Sequence, residues 1–346
     1  MLYIGIFAGL LFLRLTVGRP SQVGTVLYYA ALLALFLFAA FRFEVGCDWQ
    51  GYYYQYQPDS VAVQMQDVSL ISDPLWWSMI DLMIRAGFDY RWLNVLAAAF
   101  FFGGVHVLAR RQPDPLAFLI LLFPVLIINM PMSGIRQGAA VGVMCIAFAA
   151  FIDRRLILYL ALTLVATLIH SSAMIFLLLT PIVRGAFTIE RALLTGLFAL
   201  PGLYVLMNTG SAELALSRYF ETGVDSSGAP FRLALLALTG AFYMMLLRRK
   251  WFSEFRPDYK LATIGAGAML ALVLLLPVST VIGDRMGYYL VPIQAMMFAR
   301  IPFLKLGRNG VFYSVAAYAG LAVFFLSWAA FSDHFQLCYV PYKSWL

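Results

Sequence analysis

Apolar runs recur along the whole chain, many of them about as long as a bilayer is thick. They fall at 1–17, 23–41, 91–109, 114–130, 135–152, 156–169, 171–187, 191–207, 231–247, 260–282, 286–304 and 311–331. A spanning helix needs ~20 mostly apolar residues, and a backbone in lipid must satisfy its polar groups within helices or closed barrels. The pattern therefore predicts an all-α polytopic membrane protein with about twelve transmembrane helices. Composition agrees: 63% of the 346 residues are hydrophobic and 12% are charged, against roughly 45–50% and about 25% in soluble domains. A soluble enzyme, a disordered chain and a secreted disulfide scaffold are excluded.

No positive segment precedes the first run and no A-x-A site follows it, so it reads as a retained span rather than a signal peptide. The net charge of +7 does not predict nucleic-acid binding, because Lys and Arg gather in cytoplasmic loops for topological reasons. Placing both termini on the periplasmic side puts Arg110, Arg111, Arg154, Arg155 and the Arg248-Arg249-Lys250 run inside, with most other basic residues. The reverse orientation inverts that bias. Residues 74–88 are apolar on one face but carry Asp81 and Arg85, which predicts an additional amphipathic helix on the outer face. Runs 156–169 and 171–187 read as two segments meeting at His170.

No internal repeat or linker divides the sequence, so residues 1–346 read as a single transmembrane domain. The long loops, 42–90 and 208–230, and the tail 332–346 fall outside and would form an outer-face site. Cys47, Cys145 and Cys338 lack CxxC spacing, so no metal or redox motif is expected. Cys47 and Cys338 both fall on the oxidising side, where they could be free thiols or a disulfide joining the first loop to the tail.

Polar residues at the outer helix ends carry the chemistry. Arg136 opens a helix of otherwise small and apolar residues. It reads either as a snorkelling side chain or as an anion clamp, whose planar fork matches phosphate oxygens. Gly134, Gly138 and Gly142 beside it mark close helix packing or a face for a bulky ligand. Arg218 and Arg285 recur in similar settings, and several cations suit a diphosphate better than one carboxylate. His170 is flanked by apolar runs on both sides; it is a packing residue or a general base, since its unperturbed pKa of ~6.5 lies near working pH. Asp48 and Glu44 follow the second run, and Tyr52 and Tyr53 open an aromatic cluster that reads as an interfacial belt or a sugar-binding surface.

In order along the chain, R-x-x-x-G-x-D-W-x-x-Y-Y (42–53), G-I-R-Q-G (134–138), H-S-S (170–172), D-R-x-x-Y-Y (284–289) and V-P-Y-K (340–343) resemble the EpsG family of exopolysaccharide polymerases, relatives of the Wzy O-antigen polymerases. Cys47 departs from the small residue expected there. The resemblance implies a GT-C-like enzyme of the bacterial inner membrane with its site facing the periplasm. Such proteins transfer a growing glycan from undecaprenyl diphosphate to an incoming lipid-linked oligosaccharide repeat unit. It implies diphosphate binding by Arg136, Arg285 and Arg218, and proton transfer by His170 or Asp48. Sugar contacts fall to Glu44, Tyr52, Tyr53, Gln137, Asp284 and Tyr288. Neither cofactor nor metal is expected. Partners would be the lipid-linked substrates, membrane lipid, a chain-length-regulating copolymerase and a flippase, with no nucleic acid. The alternatives are an O-antigen ligase-type glycosyltransferase, a membrane acyltransferase, or a polysaccharide or lipid transporter; the missing six-span repeat weighs against the last.

Overall fold

Helix starts follow their capping residues. Ser21 accepts from the Gly24 amide at 3.1 Å and opens α2 (Gln22–Ala40), which follows α1 (Leu2–Val17). The computed structural model describes residues 1–17, 21–61, 73–185, 188, 190–191, 193–194, 197, 228–277 and 279–346. A short α3 (Trp49–Gln55) and α4 (Pro74–Arg85) come next. Asp89 caps α5 (Tyr90–Ala109), and Asp114, with proline behind it, caps α6 (Pro115–Ile127), whose last turn is π-helical. These are ordinary N-terminal signals: a carboxylate satisfies free amides and proline supplies a preset φ. Then come α7 (Ile135–Ile152), α8 (Leu156–Ile169) and a 3-10 segment (Ser171–Ile182). The remaining helices are α9 (Ala229–Glu254), α10 (Tyr259–Leu275), α11 (Thr280–Arg300), α12 (Arg308–Phe331) and α13 (Asp333–Tyr339).

The expectation of about twelve transmembrane helices is wrong. Five helices among the described residues are long and apolar enough to cross a membrane: α2, α5, α7, α9 and α12. The other apolar runs give shorter helices: α1, α6, α8, the Ser171–Ile182 segment and α10 have 10–17 residues. At 1.5 Å rise per residue these fall short of a ~30 Å hydrocarbon core. α11 has the length but carries Asp284 and Arg285 and is not among the five. The run 191–207 lies largely outside the described residues. Apolarity in these runs reflects burial in protein as well as lipid contact. α6 is buried all round, Leu116 to Ile127, and α7 is 89% buried within the protein. A helix hydrophobic on every side marks a protein core as readily as a span.

The chain forms two compact units. The first comprises Met1–Ile146, Val165–Ser171 and Ala295–Leu346; the second comprises Ala147–Leu164 and Ser172–Gln294. In the first, α2 packs against α5 and α6, and α6 lies in the core. A Cβ on Gly142 would stand 2.2 Å from the Phe100 carbonyl oxygen, and one on Gly104 1.8 Å from that of Gly142. The α5 and α7 backbones therefore touch, and the glycine spacing in α7 serves packing at this position. In the second unit α9 packs along α10. The Lys260 ammonium there donates to the carbonyls of Ile182, Val183 and Gly185, a cation where a helix end leaves carbonyls free.

Candidate functional site

Two chain segments of the first unit converge on a carboxylate carried by a third. Asp73, the residue before α4, is buried and adopts a left-handed backbone with φ 56°, which costs a non-glycine residue roughly 1–2 kcal/mol. Its Oδ1 accepts the Ser171 amide at 2.6 Å. Its Oδ2 lies 3.0 Å from Arg136 Nη1 and 3.5 Å from His170 Nδ1. Strain of this kind persists where surrounding contacts over-determine it.

The neighbours are placed by local rules. Arg136 is the second residue of α7. A quarter of the side chain remains accessible, so the fork has donors to spare beyond the one facing Asp73. His170 stands where α8 ends and the 3-10 segment begins; its amide still donates to Ala166 at 2.8 Å. Burial pushes the Asp73 carboxyl upward, but the adjacent His170 imidazole, the Arg136 charge and the Ser171 amide outweigh it. Its pKa ends below the ordinary carboxylate value. That shift favours the carboxylate over the acid, and a carboxylate beside an imidazole can orient it.

A second carboxylate, Asp48, is held at the same end of the unit. Ser133 donates to its Oδ2 at 3.2 Å, so the loop before α3 is tied to the turn before α7. Arg42 is fully buried and structural: it donates to the carbonyls of Ala39, Val45 and Met132. Gly46 has φ 102°, and a Cβ there would stand 1.9 Å from the Met132 oxygen; only glycine fits. Glu44 pairs with Lys343, and the Phe43 amide donates to the Lys343 carbonyl. These contacts fasten the tail to the first loop, along with a disulfide between Cys47 and Cys338. His334 lies 3.0 Å from Cys47 Sγ.

The aromatic cluster is partly accessible. Tyr53 stacks on Trp49 at 5.2 Å and meets Tyr90 edge-on at 5.5 Å; Phe43 packs on Trp345 at 4.2 Å. Tyr53 and Trp345 are exposed, whereas Tyr52 is buried against Trp76. Gln137 is buried next to Arg136.

Other expected site residues lie in the second unit. Asp284 takes a bidentate pair from Arg232, with both nitrogen–oxygen distances 2.6 Å. Arg232 also stands 5.4 Å over the Tyr288 ring. Arg285 follows on α11. Arg218 falls outside the described residues. Sequence reasoning missed Asp73 and Arg232. The Asp-Pro step at 73–74 was a legible helix start, but nothing in it announced burial.

α5, with 20 residues, is about 30 Å long. Its N-terminal Tyr90 joins the aromatic cluster, and its other end meets Arg110 and Arg111. Long apolar helices fit a helical membrane-embedded protein, and its first unit holds an arginine–histidine pair around a buried aspartate. Residues 25–344 match the family model described as EpsG family, and the chain belongs to the EpsG family. Membership supports a Wzy-like polysaccharide polymerase role in general, with a glycosyltransferase-like activity. No curated protein and no solved structure matches the chain.

Proposed function

We propose that the protein polymerises lipid-linked oligosaccharide repeat units at the periplasmic face of the bacterial inner membrane, with the Asp73 cluster as its reaction centre. The observation that carries this reading is the convergence of Arg136, the Ser171 amide and His170 on one ionised, buried carboxylate. The basic ends of the helices favour a cytoplasmic location for Arg110 and Arg111, which leaves the aromatic end of α5 outside.

In the reaction a sugar hydroxyl of the incoming unit attacks the anomeric carbon of the growing chain. A new C–O bond forms, the bond to undecaprenyl diphosphate breaks, and the diphosphate departs with the electron pair. The hydroxyl proton passes to His170. Asp73, negative throughout, orients the imidazole and stabilises the imidazolium. Arg136 offers its remaining donors to the leaving diphosphate. At rest, with His170 neutral, Arg136 and Asp73 cancel. When His170 takes the proton the cluster gains one positive charge, at the moment negative charge grows on the leaving group. Asp48 is the second candidate base, and Arg285 and Arg218 are further candidate phosphate ligands. Trp49, Tyr53 and Trp345 offer ring faces for sugar C–H surfaces. Membrane lipid, a copolymerase and a flippase are the expected partners.

The test is a polymerisation assay in nanodiscs, with undecaprenyl-diphosphate oligosaccharide from the host polysaccharide. Wild type should give a ladder of products. Asp73→Asn, Arg136→Ala and His170→Ala should not, while remaining folded. A ladder that survives all three removes this centre. An authentic repeat unit left unextended by folded wild type, but passed to another acceptor or carried across the bilayer, favours the ligase or the transporter.

A further inference from the structure

α9 changes pitch before it ends. Tyr243–Leu247 form a π-helical turn and Arg248–Glu254 continue the helix. A π turn inserts an extra residue and is frequent at functional positions. This one brings Met244 and Met245 to the edge of a cavity of about 740 Å3, lined further by Arg248, Arg249, Phe252 and Tyr259.

The walls are held by specific contacts. Arg248 Nε donates to the Tyr259 hydroxyl at 2.9 Å. Phe252 meets Tyr259 edge-on with centroids 5.0 Å apart, and Arg256 stands 5.1 Å over the Phe252 ring. Met245 and Phe252 are exposed. No carboxylate lines the cavity, and among the described residues none pairs with Arg249 or Lys250. A cationic wall thus adjoins an apolar, polarisable one.

That combination matches an amphiphile whose anionic head is joined to hydrocarbon. Guanidinium forks take phosphate oxygens, and unbranched methionines fit irregular chains. The Arg248-Arg249-Lys250 run belongs on the cytoplasmic side by the positive-inside bias, where the leaflet carries the anionic lipids. We infer that this cavity binds an anionic phospholipid of the cytoplasmic leaflet. Its phosphate lies against Arg248 and Arg249, and an acyl chain runs along Met244, Met245 and Phe252. The site shares no residue with the Asp73 cluster and does not depend on the polymerase reading.

Native mass spectrometry of the full chain, released from nanodiscs of mixed phosphatidylglycerol and phosphatidylcholine, tests it. Wild type should retain phosphatidylglycerol in preference to phosphatidylcholine. Arg248→Gln with Arg249→Gln should weaken that retention about thirtyfold, at about fivefold per basic residue near an anionic surface. Should the glutamine pair misfold, Arg248→Lys with Arg249→Lys serves instead. It keeps both charges, loses the fork, and should fall between. Phe252→Ala should also weaken retention, and millimolar inorganic phosphate should leave it unchanged. Equal retention of the two lipids, or an unchanged preference in the double variants, would overturn the site. Displacement of the lipid by inorganic phosphate would reassign the cavity to a soluble anion.

Discussion

The Asp73 carboxylate stands 3.0 Å from the Arg136 guanidinium, which locks the residue before α4 to the first turn of α7. Asparagine at 73 keeps an oxygen to accept the Ser171 amide but removes the charge. Asp73→Asn should lower kcat of chain extension by about a hundredfold or more, the scale of an oriented proton acceptor, with a smaller change in KM. Asp73→Glu should recover part of the loss, whereas a purely structural role would move thermal stability and kcat together. Product ladders quantified against repeat-unit concentration separate the cases.

The same carboxylate sets an acid limit. Its folded-state pKa lies below the ordinary value of 3.8. A depressed carboxyl contributes stability that is fully present above the unfolded pKa and is lost as pH falls through the folded one. The Asp73 contribution to thermal stability in detergent should therefore be constant between about pH 7 and 5 and decline below about pH 4. Asp73→Asn should flatten that acid limb. An identical limb in the variant would show that other groups set it.

How much of this was legible in the sequence depends on contrast. Arg136 and His170 stood out because apolar residues surround them. Asp73 did not, because it ends a polar stretch rich in Gln, Ser and Asp, and its burial arises from contacts with residues far along the chain. Asp284 was legible as a polar residue between two apolar runs, but neither as a residue inside α11 nor as the partner of Arg232, which lies 52 positions away. The helical class was plain from the apolar runs. The number of crossings was not, since α6 shows that a run can be apolar because protein rather than lipid surrounds it.

The backbone contact between α5 and α7 makes a sharp pair of substitutions. Gly142→Ala places a methyl group 2.2 Å from the Phe100 oxygen, whereas a Cβ on Gly103 meets nothing within 4 Å. Gly142→Ala should cost about 1–3 kcal/mol, the usual scale of overpacking. Gly103→Ala should be neutral or slightly stabilising through helix propensity. Thermal midpoints of the two variants in one detergent should differ by several degrees.

The Cys47–Cys338 disulfide closes a loop of 291 residues. Peptide mapping without reductant should recover the linked pair, with Cys145, the buried thiol, modified only after unfolding. Cys47→Ser should cost about 2–5 kcal/mol. It should also speed proteolysis of the tail, which would then be held mainly by the Glu44–Lys343 pair and the backbone bonds from Phe43 and Trp345. Two free thiols at 47 and 338 in periplasm-exposed protein would remove the bond.

Arg232 and Asp284 form a bidentate pair with each side chain only 12% accessible. Removing one partner of a buried pair costs about 3–5 kcal/mol, whereas replacing both by apolar residues is often nearly neutral. Asp284→Asn and Arg232→Met should each lower the thermal midpoint markedly, and Asp284→Leu with Arg232→Met should recover much of the loss. Because Asp284 spends both oxygens on Arg232, folded single variants should keep their KM for the repeat unit. If Asp284→Asn instead leaves stability untouched and raises KM severalfold, the carboxylate contacts sugar and the pair opens during turnover.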